Sequence, residues 1–189
     1  MTASSTSPSS TPPYRLRRYE AKDVNGILAV FRANLVEEWT KYHDGKYLPN
    51  AEKYIERCCC SDGSDLRNIE QVYFNRGGYF WVLVDADNVV CGTLGLEIVQ
   101  SETATGELRR MCLIPSLRRQ GWGTKMFRLL QKEAETMGLC KIVCSTPEHG
   151  NDVLDFYKSL GFVDTGRREP IHDSPIQEVF LERSMASSE

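Results

Sequence analysis

A chain of 189 residues that is 41% hydrophobic and 26% charged, with a formal net charge of −3, has the size and balance of one globular domain. Nothing in that overall charge argues for nucleic acid, which usually demands a basic surface, and it does not repel a cationic substrate such as an amine. No apolar run approaches the roughly 18 residues of a membrane span and no secretory core precedes the cysteines, so the reading is a cytoplasmic protein without membrane or nucleic-acid partners.

Residues 1–13 are Ser, Thr and Pro with almost nothing to bury, and predict a disordered tail. They carry no basic residue, as a mitochondrial presequence would. A folded domain is expected over 14–184, with a short tail over 185–189. Tyr14–Tyr19 alternates as a first strand. Asp23 then caps a helix with Val24, Ile27, Leu28, Phe31 and Leu35 on one face. A polar, aromatic stretch follows, with Trp39, Tyr42, His43, Asp44, Gly45 and Tyr47. Asn50 is read as the cap of a second helix running to about Cys60. Ser61–Asp65 is a loop, and the long insertion from Ser61 to Tyr79 is either a lid or a variable loop.

Tyr79–Asp85 and Val89–Val99 read as a hairpin joined at Ala86-Asp87-Asn88. A turn over Ser101–Gly106 leads to a strand over Glu107–Ile114, ended by Pro115. After a glycine-rich turn, a helix from about Gly121 to Met137 carries Met126, Phe127, Leu130, Ala134 and Met137 on one side, and Gly138 closes it. Lys141–Ser145 is a short buried strand. Asp152–Leu160 is a helix with Val153, Phe156, Tyr157 and Leu160 at helical spacing. Phe162–Thr165 and Glu178–Glu182 finish the chain as strands. The order β-α-α-β-β-β-α-β-α-β-β combines an antiparallel middle with a parallel β-α-β unit around 107–145. That predicts an α/β fold: a mixed, mostly antiparallel sheet of about seven strands with helices on both faces.

Seven cysteines without a C-x-x-C pair argue against a zinc site, and no metal is expected. Cys91, Cys112, Cys140 and Cys144 fall in segments read as strands and are expected to be buried, reduced thiols. Cys58-Cys59-Cys60 point in different directions on a helix and cannot jointly chelate one ion. His43, His149 and His172 have no metal-like companions and are read as surface histidines.

The turn Arg118-Arg119-Gln120-Gly121-Trp122-Gly123-Thr124 carries the most chemistry. Its glycines let the backbone turn tightly, and the following helix aims unpaired N–H groups and the positive end of its dipole back at it. Such a turn binds phosphate or pyrophosphate. A Walker A loop needs Gly-Lys-Ser/Thr, but the order here is Gly123-Thr124-Lys125. A dinucleotide fingerprint needs a third glycine where Met126 stands. What remains is Arg/Gln-x-x-Gly-x-Gly/Ala, present as Arg118-x-x-Gly121-x-Gly123.

With that motif, the strand Glu107-Leu108-Arg109-Arg110-Met111-Cys112-Leu113 before Pro115, and Phe156-Tyr157-Lys158-Ser159-Leu160-Gly161-Phe162, the chain resembles the GNAT superfamily of acetyl-CoA-dependent N-acetyltransferases. The resemblance covers about Tyr14 to Glu182 and is most specific over 107–165. It implies that the turn amides from Arg119 through Gln120, Gly121, Trp122, Gly123 and Thr124 hold the CoA pyrophosphate, with charge added by Arg118 and Arg119. Trp122 packs under the helix or flanks the cofactor. Met111, Cys112 and Leu113 pair with the pantetheine arm through their backbone, on a strand that splays from its neighbour through a bulge. Tyr157 corresponds to the proton donor for the departing thiolate, and Glu107 to the base that relieves the amine of its proton. Acetyl transfer is implied to proceed by direct attack, with Cys112 or Cys144 as nucleophile the rival route.

Many members carry an asparagine seven residues before the tyrosine. That position is Gly150 here, and Asn151 one residue later is the candidate for the CoA contact. The resemblance places the acceptor amine between Trp39–Pro49 and Arg167–Ile176, where Trp39, Tyr42, His43, Asp44 and Tyr47 suit an ammonium group. A small amine or amino-acid derivative is favoured over a protein N-terminus or lysine. A non-catalytic acyl-CoA sensor and a longer acyl donor such as propionyl- or succinyl-CoA are the alternatives. The oligomeric state is left open between monomer and homodimer.

Overall fold

A computed structural model of the chain describes residues 13–43, 48–148, 150–171 and 176–185. All but one residue of each expected tail lie outside the described residues. Seven strands form one sheet: β1 (Tyr14–Arg18), β2 (Tyr79–Asp85), β3 (Val90–Ile98), β4 (Thr105–Leu113), β5 (Lys141–Pro147), β6 (Val163–Pro170) and β7 (Gln177–Ser184). Their spatial order is β1-β2-β3-β4-β5-β7-β6. The β4–β5 pair is parallel and the others are antiparallel, which is the mixed sheet the sequence predicts.

Strand alternation assigns the two faces. Phe80, Val82 and Val84 of β2 point to one side. There they bury Ile27, Val30 and Phe31 of α1 (Val24–His43) and Ile55 and Cys58 of α2 (Leu48–Cys59). Trp81 points to the other side, with Leu94, Leu96 and Leu108. This second core takes Met126, Phe127 and Leu130 of α4 (Trp122–Thr136) and Tyr157 of α5 (Asn151–Ser159). Burial of each large apolar side chain contributes about 1.5–3 kcal/mol, so the two cores hold the helices to the sheet. Phe127→Ala would break the second, at a cost of about 3–5 kcal/mol.

The start of α1 is tied to β1 by Asp23, in a 3-10 turn over Ala21–Asp23. Its buried carboxylate accepts two hydrogen bonds from Arg17, at 2.6 and 2.8 Å, and one from the Glu20 N–H. Four expectations change. No glycine or proline interrupts the chain after Leu35, so α1 continues for 20 residues through Trp39, which is helical rather than in a loop. Trp39 is only 2% exposed and packs on Ile171 and Ile176. The second helix begins at Leu48, with Pro49 in its first turn where a missing N–H costs nothing, so Asn50 does not cap it. The insertion between Ser61 and Tyr79 is ordered, with a short α3 (Ile69–Val72) and a 3-10 turn over Phe74–Arg76, and it buries Leu66, Ile69 and Tyr73. All seven cysteines are free. Cys91 and Cys144 are buried as expected, but Cys112 is half-buried and Cys140, just ahead of β5, is exposed.

Candidate active site

The site begins where two strands part. β4 and β5 pair at Thr105–Lys141, Gly106–Ile142 and Glu107–Val143, and there the ladder ends. A bulge accounts for the parting. Cys112 faces Thr93 and Arg109 faces Gly95, so β4 advances one residue more than β3 over the same stretch. Arg110 sits at the bulge with φ 54°, in the left-handed region. Beyond it, the Ile114 N–H donates to the Cys91 carbonyl on the β3 side at 2.9 Å. By alternation, the backbone groups of Leu113 and Met111 face the gap, while Cys112 stays in the ladder. Of the three residues expected to pair with pantetheine, Met111 and Leu113 therefore offer free edge. The Leu113 carbonyl already accepts from Arg118 Nε at 3.2 Å.

The glycine turn closes one end of the gap. A 3-10 turn over Pro115–Leu117 leads to Arg119 and Gly121, with φ 60° and 79°, and α4 starts at Trp122. The Lys125 N–H reaches back to the Gly121 carbonyl at 3.0 Å, so the amides of Trp122, Gly123 and Thr124 precede the helix's own ladder. No side chain caps this end. Gly121 and Gly123 are glycines for different reasons. At Gly121 the backbone requires it, and a Cβ would meet nothing within 4 Å. At Gly123 packing requires it, because a Cβ would lie 3.0 Å from the Phe156 ring. Gln120 bonds back to the Ser116 carbonyl at 2.6 Å, and Arg119 is exposed. Trp122 packs edge-on to Tyr14 of β1 with 5.8 Å between ring centroids, and the Lys125 ammonium lies 4.3 Å from its ring. Arg118 points to α1, where it makes two bonds to Glu37 and one to Asn34 Oδ1 at 3.0 Å. Asn151 is the exposed first residue of α5.

Glu107 and Tyr157 flank the gap from opposite faces. Leu108 lies in the core under α4 and α5, so the Glu107 side chain, one residue earlier, points to the α1–α2 face. Its carboxyl is raised above the ordinary value by burial, against the pull of Arg109, with Glu97 and Glu178 adding to the rise. Tyr157 is 6% exposed and packs against Phe156 and Phe162, each with 5.5 Å between ring centroids. Burial, and then Cys144 and Cys112, push its phenol well above the ordinary value, so it stays protonated. Among the described residues its hydroxyl has no hydrogen-bond partner, yet it is not among the side-chain atoms sealed from solvent without one. Solvent therefore reaches it, and Cys112 of β4 and Cys144 of β5, on the two strands that part, both act on it. Cys144 links Glu107 and Tyr157: burial and then Glu107 push its thiol up, and it in turn raises the Tyr157 phenol. Burial pushes Cys112 up to about 11. Neither thiol is ionised at neutral pH, which argues against a cysteine nucleophile.

The α1–α2 face also holds residues that the sequence did not single out. Arg109 pairs with Glu97 and lies 4.0 Å from Glu107. Glu178 of β7 accepts from Ser145 Oγ at 2.7 Å. Asp65, from the insertion, pairs with Arg110. Nothing in a single sequence signals partners 45 residues apart. Of the expected acceptor residues, Trp39 sits at the end of α1 beside Ile176. Asp44, Gly45, Tyr47, His149 and His172 lie outside the described residues, as do the side chains of Tyr42 and His43. Among the described residues no three His, Cys, Asp or Glu side chains are grouped to hold a metal, and no helix is long and apolar enough to cross a membrane.

The family model of the acetyltransferase (GNAT) family matches residues 34–162. Over 102 residues, 54% of the chain, the sequence is 30% identical to a protein named probable N-acetyltransferase 14 of Xenopus tropicalis. Over 98 residues, 52% of the chain, it is 28% identical to the uncharacterized N-acetyltransferase YjgM of Escherichia coli. These matches cover 49% and 59% of those two proteins, so the chain spans about half the length of the curated relatives it matches. In fold it is similar to the PaiA N-acetyltransferase of Thermoplasma acidophilum, solved in complex with coenzyme A. The TM-score is 0.73 at 19% identity, over 91% of this chain and 99% of that one.

Proposed function

The chain belongs to the GNAT acetyltransferase family, and from that premise we propose that it transfers an acetyl group from acetyl-CoA to the primary amine of a small molecule. The observation that carries the reading is the β4–β5 gap, closed at one end by the uncapped start of α4 and flanked by Glu107 and Tyr157. The residues fit the donor. Open space at Gly121 and the free amides of Trp122, Gly123 and Thr124 suit a pyrophosphate, and the edge offered by Met111 and the Leu113 N–H suits an amide-bearing arm.

A protonated amine has no lone pair, so it must lose a proton before it attacks the thioester carbon. Glu107, whose raised pKa brings it nearer neutrality, accepts that proton, directly or through a water. As the new carbon–nitrogen bond forms and the carbon–sulfur bond breaks, Tyr157 gives its proton to the departing sulfur, and the second proton shed by the nitrogen, passed through water, restores the phenol. The two side chains stand on opposite faces of the sheet, so donor and acceptor reach the gap from opposite sides without competing for space. Arg118 orders the turn from behind, through Glu37 and the Leu113 carbonyl.

The test is thiol release from acetyl-CoA with a panel of small amines, peptide N-termini and lysine peptides, run beside calorimetric titration with CoA. Release with a small amine is expected. CoA binding without release for any acceptor would make the protein a sensor, release with peptides alone would move the acceptor to protein, and absence of CoA binding would overturn the reading.

A further inference from the structure

Four non-glycine residues among those described adopt a left-handed backbone: Asn88, Ala104, Arg110 and Arg119. Three stand in turns, and Arg110 alone stands within a strand. A long side chain in that conformation is strained, and it persists only where its surroundings enforce it. Here they do so from both ends. Thr93 Oγ1 donates to the Arg110 carbonyl at 2.6 Å. Asp65 accepts two bonds from the guanidinium, at 2.8 and 2.7 Å, with both side chains only about a tenth exposed (10% and 11%). Tyr73 donates to the same carboxylate at 2.7 Å, Tyr54 accepts from Arg110 at 3.3 Å, and the Phe31 ring lies 4.8 Å from the guanidinium.

We propose that Asp65 is a positioning residue: by holding Arg110 in its left-handed conformation, it fixes the β4 bulge and so keeps open the gap that receives the acyl-CoA arm. The chain of cause is short. Without φ 54° at residue 110, the bulge disappears and every side chain and amide beyond it changes side, because the strand repeat is two residues. Met111 and Leu113 would then turn into the ladder and Cys112 into the gap. The insertion at 61–78 is thus a brace, reaching across from the α1–α2 face to the strand that lines the site. This rests on the acyl-CoA reading above only for its ligand.

Two double variants separate positioning from plain cohesion. Asp65→Asn with Arg110→Gly, and Asp65→Asn with Arg110→Ala, remove the same ion pair. They differ in whether residue 110 adopts a positive φ without strain. The glycine pair is expected to bind CoA nearly as the wild type does. The alanine pair is expected to bind about 5- to 30-fold more weakly, the fold-change matching the cost of a left-handed non-glycine residue. Amide hydrogen exchange reads the bulge without any ligand. Slow exchange at Ile114 and fast exchange at Leu113 should persist in the wild type and the glycine pair, and the alternation should be lost in the alanine pair. Equal CoA affinity and the same exchange pattern in both doubles would overturn the proposal. A wild type that does not bind CoA would overturn the acyltransferase reading instead, while the exchange comparison still decides this one. If neither double folds, Arg110→Gly against Arg110→Ala with Asp65 retained gives the same contrast.

Discussion

Arg118 donates two hydrogen bonds to the Glu37 carboxylate, at 2.8 and 2.9 Å, and so ties the glycine turn to α1. The pair is more than a third exposed, so its own worth to stability is about 0–1 kcal/mol. Its importance lies in where it holds the turn. Arg118→Ala removes the tether to Glu37, Asn34 and Leu113 together, and CoA should bind about tenfold more weakly. Glu37→Gln leaves the bonds to Asn34 and Leu113 and deletes a negative charge near the phosphate cradle, so affinity should be unchanged or about two- to threefold tighter. Calorimetric titration with CoA checks both. A tenfold loss in Glu37→Gln would show that the pair itself, rather than the turn it orders, carries binding.

The glycine turn was legible because its spacing is local and excludes other phosphate loops without any tertiary knowledge. Tyr79–Asp85 was legible as a strand at both ends, since a β-rich run flanked by Gly77-Gly78 and Ala86-Asp87-Asn88 has sharp borders. The insertion was not. A four-residue helix is too short to show a period, and Asp65 acquires its meaning only from Arg110, 45 residues away. Trp39 was misread for a related reason: a change from apolar to polar residues resembles the end of a helix, although nothing there breaks one. The side chain of Arg118 was equally out of reach, because the turn motif says nothing of a glutamate on α1.

Tyr157→Phe and Glu107→Gln should separate the two proton transfers. Tyr157 has no hydrogen-bond partner among the described residues, so loss of its hydroxyl should leave stability within about 1 kcal/mol. It should lower kcat about 10²- to 10³-fold, with little change in the KM for acetyl-CoA. Glu107 must be ionised to act as a base, and its pKa is raised, so wild-type kcat/KM should climb with pH through that raised value. Glu107→Gln should lose this lower inflection and fall about 10²-fold at neutral pH. A pH–rate profile that keeps the inflection in the variant would assign it to the acceptor amine instead.

Gly121 and Gly123 make a sharper pair than their shared motif suggests. Gly121→Ala meets no atoms but must hold φ 79°, so stability should fall by about 1–2 kcal/mol. Gly123→Ala lies in the first turn of α4, where a gain in helix propensity of about 1 kcal/mol offsets the overpacking. Its Cβ presses on Phe156, next to Tyr157, so stability should stay within about 1 kcal/mol while kcat falls about tenfold. Urea denaturation and steady-state kinetics on the two variants test this. Equal losses of stability would mean that the two glycines serve the same purpose.

Asp65 gives a prediction for acid. Burial alone would raise its carboxyl, but the hydrogen bonds and charge of Arg110 outweigh burial and hold it below the ordinary value. A carboxyl with a lowered folded pKa contributes stability that is fully present above its unfolded value, about 3.9, and that is lost as pH falls through the folded value. Asp65→Asn should therefore cost about 3–5 kcal/mol at pH 7, where it strands a buried guanidinium. The gap between wild type and variant should narrow steadily below about pH 4, because a protonated carboxyl offers Arg110 no more than an amide does. Urea melts at pH 7, 5 and 3 measure it. A gap that stays constant across that range would mean that Asp65 holds Arg110 through shape and hydrogen bonds rather than through its charge.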